Sequence, residues 1–115
     1  MSTTKEILDH HWEAFTTQDL DMVMEDYDDD SVVITNLGTF HGLDGIEELF
    51  TGIFDEFSQP GSTAELEMEE IVDDTAYIVW HGETPDNEYA FATDTFRIED
   101  GVITVQTFGG KIDAK

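Results

Sequence analysis

The fold is decided by the stretch EYAFATDTFRIEDGVITVQTF, residues 88–108, in which β-branched and aromatic residues recur on both sides of an Asp-Gly pair. Asp100 and Gly101 form the turn signal of a β-hairpin, because both residue types tolerate the positive φ angles of a two-residue turn. The flanking segments have the composition of β-strands. The stretch therefore predicts two long antiparallel strands.

The segments before this hairpin predict further strands of the same sheet. SVVITNLG, residues 31–38, and TAYIVWHGE, residues 75–83, are rich in β-branched and aromatic residues. Between residues 64 and 69, apolar residues alternate with glutamates. An alternation with period two indicates strands with one buried and one exposed face.

The register of one hairpin is predicted from its turn. TPDN, residues 84–87, fits a type I turn with proline in the second position, so that facing residues across the two strands have numbers that sum to 171. This register sets Tyr77 opposite Asp94 and His81 opposite Ala90. By the period-two rule, these side chains share one face of the sheet.

Helices precede most of the strands. Thr3 and Glu6 have the spacing of a capping box, which predicts the start of a first helix, and Asp19 can cap a short second helix. A third helix is predicted over Asp44–Phe57. Positions with helical spacing are Ile7, Leu8, His11, Trp12 and Phe15 in the first helix, Leu20, Val23, Met24 and Tyr27 in the second, and Ile46, Leu49, Phe50, Ile53, Phe54 and Phe57 in the third. This order of elements predicts one α+β domain over residues 1–115, with the helices on one face of an antiparallel sheet.

The charge balance restricts the possible partners. The chain has 28 acidic and 4 basic residues, a formal net charge of −24. Nucleic acids and anionic membranes are excluded as expected partners, because phosphate binding depends on Lys and Arg. Since the acidic residues are spread along a chain with clear apolar periodicity, the charge is predicted to cover a folded surface. A halophilic protein and an ordinary acidic protein both fit this pattern, and the first is favoured.

Several classes of protein are not expected. There is no cysteine, and therefore no disulfide, thiolate nucleophile or cysteine-based metal site. No apolar run reaches the length of a membrane span, and the N-terminus lacks a secretory leader, so a cytoplasmic protein is expected. The histidines lack HxH, HxxxH and HExxH spacings, and no Gly-rich phosphate loop occurs, so neither a metal nor a cofactor is predicted.

Three motifs in their order along the chain indicate a family. They are TTQDLDMVMEDYDDDSVV at residues 16–33, FHGLDGIEELF at 40–50 and DTFRIEDGVITVQTF at 94–108. Together they resemble the nuclear transport factor 2-like superfamily and, within it, the SnoaL-like and ketosteroid isomerase-like branch. The resemblance implies a conical half-barrel, in which a curved antiparallel sheet wraps around the N-terminal and third helices and encloses an apolar pocket. It also implies a homodimer through the convex face of the sheet.

The resemblance also assigns candidate site residues. In the isomerase, an aspartate base faces an oxyanion hole made of a tyrosine and a protonated aspartic acid. The position of the base falls on Thr35, which cannot act as a base. The position of the tyrosine falls on His11, and that of the protonated acid falls on Asp94, which matches. The superfamily contains isomerases, cyclases, dehydratases and hydrolases as well as binding proteins, so the family alone does not assign an activity.

The residue pattern supports a pocket around Asp94. The small alanines beside Asp94 suggest that its face of the sheet is hollow, whereas the face with Trp80 and Phe91 is predicted to be packed or to form a dimer interface. Burial among aromatic rings would raise the pKa of Asp94. We expect His11 to point inward, His81 to lie at the rim and His10 to lie outside. The predicted ligand-binding residues are Phe15, Thr35, Phe54, Tyr77, Val79, Phe96 and Phe108.

Two functions remain open from the sequence. The first is an acid–base isomerase or aldol-type cyclase acting on a small apolar carbonyl compound, with Asp94 as acid or base and His11 or His81 polarising an oxygen. The second is a non-catalytic dimeric protein that binds a small apolar ligand or a protein partner. In that case Asp94 is a structural carboxylate and His11 a satisfied core histidine.

The stability of the protein should rise as KCl is raised from 0.1 M to 2 M. Salt shortens the Debye length from about 8 Å at physiological ionic strength to about 3 Å at 1 M, which weakens the repulsion among the carboxylates. Melting temperatures measured by circular dichroism across this range test the expectation. A melting temperature that falls between 0.1 M and 2 M would contradict it.

Overall fold

The computed structural model describes residues 3–115. The helices are α1 (Thr4–Thr17), α2 (Leu20–Met24) and α3 (Gly42–Phe57), and the strands are β1 (Val32–Thr35), β2 (Gly38–His41), β3 (Thr63–Val72), β4 (Thr75–Glu83), β5 (Asn87–Glu99) and β6 (Val102–Ala114). The six strands form one sheet in the order β2-β1-β6-β5-β4-β3. The predicted α+β fold is confirmed.

The sheet is antiparallel at every pairing except one. Strands β3 to β6 form a meander of antiparallel neighbours, and β1 pairs antiparallel with β2 but parallel with β6. The parallel pair arises because α3 and the meander separate β1 from β6 in the chain. The hairpin between β5 and β6 turns at Asp100 and Gly101, whose φ angles of 53° and 77° fit the predicted Asp-Gly turn.

The core lies between the helices and the concave face of the sheet. Ile46, Phe50, Phe54 and Phe57 of α3 are buried, as their helical spacing predicts. Helix α1 adds Leu8 and other buried residues to the same core cluster. The two long helices, α1 and α3, differ in how their N-termini are capped.

The predicted cap of α1 is present, whereas α3 begins earlier than predicted. Thr3 and Glu6 form the reciprocal hydrogen bonds of a capping box. Helix α3 starts at Gly42 and not at Asp44, and His41 at its N-cap makes no side-chain hydrogen bond to the helix. Gly42 has a φ of +69° and donates its N–H to the carbonyl of Ser31, so the residue before β1 anchors the N-terminus of the helix.

The predicted register between β4 and β5 is wrong beyond the first pairs of the hairpin. Next to the turn, Gly82 faces Tyr89, as a sum of 171 requires. Between the pairs Gly82–Tyr89 and Trp80–Ala92, β4 has one residue and β5 has two. This β-bulge in β5 shifts the pairing by one residue, so that Ile78 faces Asp94. Because side chains alternate with period two, this shift exchanges the two faces of β4 relative to the prediction.

The exchange brings Trp80 inside the fold and places two predicted pocket residues outside it. Trp80 is 3% exposed and packs in the core, whereas Tyr77 and Val79 lie half-buried on the convex face. The prediction that Trp80 lies on the face of the sheet opposite Asp94, packed or dimer-forming, is therefore wrong as to the face, although the side chain is packed. Phe91, which is 49% exposed, does lie on the convex face.

Gly82, which lies beside the bulge, makes a close backbone contact with β3. A Cβ at this position would lie 2.3 Å from the carbonyl oxygen of Thr63 on β3. Only glycine permits this approach of two strands.

In the part of the chain that the structure describes, no helix is long and apolar enough to span a membrane.

Candidate functional site

A cavity of about 300 Å³ opens between α1, α3, the β1–β2 hairpin and the concave face of the sheet. Most of its lining is apolar or aromatic: Trp12, Phe15, Val33, Leu37, Leu49, Phe50, Gly52, Ile53, Phe57, Ile78, Trp80, Tyr89, Phe108 and Ile112. The polar lining residues are His11, Thr35, Asn36, Glu56, Asp94 and Gln106. Such a lining, apolar with a few polar groups, is typical of a small-molecule site.

Asp94 is a buried carboxyl group at this cavity. It is 6% exposed, and each of its oxygens accepts one hydrogen bond: Oδ2 from Trp80 Nε1 at 2.9 Å and Oδ1 from Gln106 Nε2 at 3.0 Å. Burial raises the pKa of Asp94 to about 6, although these two hydrogen bonds favour the charged form. Asp94 can therefore exchange a proton near neutral pH.

A chain of buried polar groups connects Asp94 to helix α1. The Gln106 amide that donates to Asp94 also accepts a short hydrogen bond from the Tyr27 hydroxyl through Oε1. The Tyr27 oxygen lies 3.5 Å from His11 Nδ1. Burial raises the pKa of Tyr27 well above its ordinary value, so the hydroxyl keeps its proton.

His11 is neutral at the pH of this exchange. Its ring packs edge-on against Phe96 and Phe50, with centroids 5.0 Å and 5.9 Å away. Burial, together with the neighbouring His10, lowers the pKa of His11 to about 3. Since the Tyr27 hydroxyl donates to Gln106, its oxygen can only accept from His11, which places the ring proton on Nδ1.

The other ring nitrogen of His11 is then a free acceptor. Among residues 3–115, Nε2 has no hydrogen-bond partner, and His11 borders the cavity. The inner end of the cavity therefore combines an acid, Asp94, with an unprotonated imidazole nitrogen.

A second carboxylate, Glu56 of α3, borders another part of the cavity. Its Oε2 accepts hydrogen bonds from Thr84 Oγ1 at 2.6 Å and Asn87 Nδ2 at 3.0 Å. The Tyr89 hydroxyl donates to both Glu56 oxygens at 3.0 Å. Glu56 thus ties α3 to the turn between β4 and β5.

The sequence profile of the SnoaL-like domain matches residues 8–106. The chain belongs to the SnoaL-like domain family. This match spans α1 to β6 and includes His11, Trp80, Asp94 and Gln106. No curated protein matches the chain in sequence.

Solved structures share the fold of this SnoaL-like domain at low identity. An NTF2-like protein of unknown function from Mesorhizobium loti is 22% identical with a TM-score of 0.81, covering 94% of this chain and 90% of that one. The epoxide hydrolase/cyclase-like enzyme SalBIII, which has a role in pyran-ring formation in the polyether salinomycin, is 15% identical with a TM-score of 0.81 and coverages of 97% and 95%. A candidate ketosteroid isomerase from Kribbella flavida is 9% identical with a TM-score of 0.77 and coverages of 94% and 77%.

Five of the predicted site residues border the cavity of the SnoaL-like domain, and two lie behind its wall. The five that border it are His11, Phe15, Thr35, Asp94 and Phe108. Phe96 is fully buried against His11, and Phe54 packs against Phe15 with ring centroids 6.2 Å apart. These two residues support the site from the core.

Three of the predicted site residues lie on the convex face, outside the cavity. Tyr77 and Val79 lie there because the bulge in β5 shifts their pairing relative to Asp94. His81 is 41% exposed and pairs with Glu65, with Nε2 and Oε2 2.9 Å apart. The predictions that Tyr77 and Val79 line the pocket and that His81 stands at its rim are therefore wrong, and His81 cannot polarise a ligand in the cavity.

His10 lies outside the cavity, where the helical spacing predicts it. Its Nδ1 contacts Asp26 Oδ2 at 2.8 Å, and its side chain is 30% exposed. This hydrogen bond raises the pKa of His10, so the two adjacent histidines have pKa values shifted in opposite directions.

Four residues of the site were not found from the sequence. Trp80 was assigned to the wrong face, and Tyr27 was read only as an apolar position of α2. Gln106 carried a usable signal, because it lies two residues from Phe108, which pairs with Asp94 across the β5–β6 hairpin. Glu56 had no signal, since its role depends on the distant turn at residues 84–87.

Among residues 3–115, no group of three or more His, Asp or Glu side chains could hold a metal ion.

Replacing Asp94 by Asn should change how stability depends on pH. The folded-state pKa of about 6 lies above the ordinary value near 3.8, so the folded protein holds this proton more tightly than the unfolded chain. The contribution of Asp94 to the free energy of unfolding is then largest at acid pH and is lost as the pH rises through 6. Between pH 5 and pH 8 this loss is about 1.4 kcal/mol.

The Asp94→Asn variant lacks this loss, so its stability relative to the wild type should rise by about 1.4 kcal/mol between pH 5 and pH 8. Urea unfolding in 1 M KCl at both pH values measures the difference. Asp55→Asn, the same change at an exposed position of α3, is the control and should show no such gain. An equal response of both variants would show that Asp94 does not take up a proton in this range.

Proposed function

We propose that this SnoaL-like protein binds a small apolar carbonyl compound in its cavity and catalyses proton transfer on it, as an isomerase or an aldol-type cyclase. The observation that carries the proposal is the position of Asp94, a buried carboxyl group with a pKa of about 6 at the wall of an aromatic cavity. Such a group is tuned for acid–base chemistry near neutral pH.

The geometry suggests a role for each polar group. In its carboxylate form, Asp94 accepts a proton from the carbon next to the carbonyl group of the substrate, which leaves an enolate and a protonated Asp94. His11, whose pKa is about 3, is too weak a base for this step and serves as a hydrogen-bond acceptor. Return of the proton from Asp94 to a different carbon completes an isomerisation, whereas attack of the enolate on a second carbonyl group, with protonation of the new alkoxide by Asp94, completes an aldol-type cyclisation.

Trp80, Gln106 and Tyr27 would act as positioning residues. Trp80 and Gln106 hold the two oxygens of Asp94, and Tyr27 fixes both the Gln106 amide and the tautomer of His11. In this proposal Asp94 takes the role of the base, whose position in the isomerase falls on Thr35. The Thr35 hydroxyl donates to the carbonyl of Gly38 at 2.9 Å within the β1–β2 turn. The fold shared with a cyclase-like enzyme and a candidate isomerase is compatible with this chemistry.

A non-catalytic ligand-binding protein is the second candidate. Thr35 favours it, because the residue at this position makes only local turn contacts and cannot act as a base. In this case the cavity binds the same class of apolar compound, and Asp94 serves as a hydrogen-bonding group.

We also propose that a second copy of the chain covers the convex face of the sheet, forming a homodimer. The apolar side chains on this face include Phe91, 49% exposed, Val105, 36% exposed, and the half-buried Tyr77 and Val79. An apolar surface on a protein with a net charge of −24 favours a partner that shields it from water. A two-fold dimer would bring identical apolar patches together.

Exchange of hydrogen for deuterium at carbon tests the catalytic proposal. The protein is incubated with 4-phenylbutan-2-one in D₂O and 1 M KCl, and the loss of the α-proton signals is followed by NMR. Loss of the general base should reduce the exchange rate at least about 100-fold in Asp94→Asn. His81→Gln on the convex face is the control and should retain the rate.

The two candidate functions give different results in this experiment. Exchange at the uncatalysed rate, with chemical-shift changes that show the ketone in the cavity, would favour the non-catalytic protein. Exchange that is equally fast in Asp94→Asn would contradict the role of Asp94. A failure of the ketone to cause any change at the cavity would contradict both candidates.

Replacing Phe91 by Lys should dissociate the dimer. The substitution places a charge in the centre of the convex face, where it would be buried by the second copy. Light scattering in 1 M KCl should give the mass of a dimer for the wild type and of a monomer for the variant. Val72→Lys, at an exposed apolar residue near the end of β3, should remain a dimer. A monomeric wild type would contradict the proposal.

A further inference from the structure

The electrostatics of the cavity select the charge of its ligand. The lining contains two carboxyl groups, Asp94 and Glu56, and no lysine or arginine. Its one imidazole, His11, is neutral because burial lowers its pKa. The protein around the cavity carries a net charge of −24. A carboxylate or phosphate ligand would therefore meet only like charge, whereas a cation is favoured.

Glu56 has spare capacity to accept a hydrogen bond. A carboxylate offers about four acceptor sites, two on each oxygen. Three donors, Thr84, Asn87 and Tyr89, reach Oε2, but only the Tyr89 hydroxyl reaches Oε1, and it is shared between the two oxygens. Oε1 therefore has room for another donor. Among residues 3–115, no basic side chain forms an ion pair with Glu56.

Aromatic rings surround the same part of the cavity. Tyr89 stacks on Trp80 with ring centroids 5.5 Å apart, and Phe57 lies 5.1 Å from Tyr89. Trp12 lies 6.0 Å from Trp80 on the side of α1. The faces of Trp and Tyr rings attract cations, and the attraction strengthens when the cation is shielded from water. The rings can also cover an apolar chain attached to that cation.

We propose that Glu56 and Tyr89 form a subsite for a protonated amine, so that the ligand of this cavity is an amine-bearing apolar compound. The inference rests on the proposed function and adds the second polar group of the ligand. The ammonium group donates to Glu56 Oε1, and its apolar body lies against the aromatic wall. Its oxygen reaches Asp94.

The separation of the two polar ends sets the length of the ligand. Tyr89 and Asp94 are five residues apart on β5, and the bulge between them makes their Cα separation shorter than the roughly 16 Å of a fully extended strand. The side chains of both residues reach into the cavity and shorten the distance that the ligand has to span. A compound of a few carbon atoms can therefore occupy one subsite but not both.

Three probes of similar shape and different charge test the subsite: 4-phenylbutylamine, which is cationic at pH 7, 4-phenylbutan-1-ol, which is neutral, and 4-phenylbutyrate, which is anionic. Trp12 and Trp80 are the two tryptophans of the chain and both line the cavity, so quenching of their fluorescence reports binding. Titrations in 1 M KCl screen the exposed carboxylates. We expect the amine to bind at least 10-fold more tightly than the alcohol, and the anion to bind more weakly than both.

The Glu56→Gln variant should lose this preference. The amine should then bind no more tightly than the alcohol, while the affinity for the alcohol stays within about twofold of the wild type. Glu48→Gln, the same change at an exposed residue of α3, should keep the preference. In the wild type, NMR should show nuclear Overhauser effects between the CH₂ group next to the nitrogen and the Tyr89 ring, which requires no variant.

The outcomes separate the subsite from the proposed function. Binding of the alcohol without a preference for the amine, or an equal loss of that preference in Glu48→Gln, would overturn the subsite and leave the apolar cavity in place. If neither the amine nor the alcohol quenches the tryptophans, the proposed function fails together with the subsite. Nuclear Overhauser effects to residues outside the cavity would also overturn the subsite.

Discussion

The hydrogen bond from Trp80 Nε1 to Asp94 Oδ2 is the interaction on which the rest of the site depends. It exists because the bulge in β5 shifts the pairing so that Trp80 and Asp94, on neighbouring strands, both face the concave side of the sheet. A buried carboxyl without donors would be costly to the fold. Together with the bond from Gln106, this contact lets a titratable group remain inside an aromatic core.

The interior and the surface of this protein have opposite electrostatic characters. The surface carries nearly all of a net charge of −24, whereas the buried polar groups form a chain of neutral or weakly acidic hydrogen-bonding partners. Burial raises the pKa of Asp94 and lowers that of His11, so both shifts favour the uncharged form. A carboxyl group and an imidazole therefore border one cavity without forming an ion pair. The proposed amine subsite uses Glu56, which is half-buried, whereas Asp94 is buried.

The sequence predicted the elements better than their contacts. The spacing of Phe50, Phe54 and Phe57 predicted the buried face of α3, and the Asp-Gly pair predicted the β5–β6 hairpin. Such signals are local, because a helix repeats every 3.6 residues and a two-residue turn needs positive φ angles. The inward position of His11 was predicted for the same reason. Tyr27 and Glu56 were missed, because their partners lie 79 and at least 28 residues away in the chain.

The sequence by itself determined the α+β class, the acidic surface, the absence of cysteine chemistry and the candidacy of Asp94 and His11. Only the tertiary structure decided which face of β4 borders the cavity. One extra residue in β5 shifts its pairing with β4 by one position and so exchanges the face of β4 that lies beside Asp94. The pairing of two strands at a bulge leaves no periodic signal along the chain. For this reason Trp80 lies inside the fold and Val79 outside it.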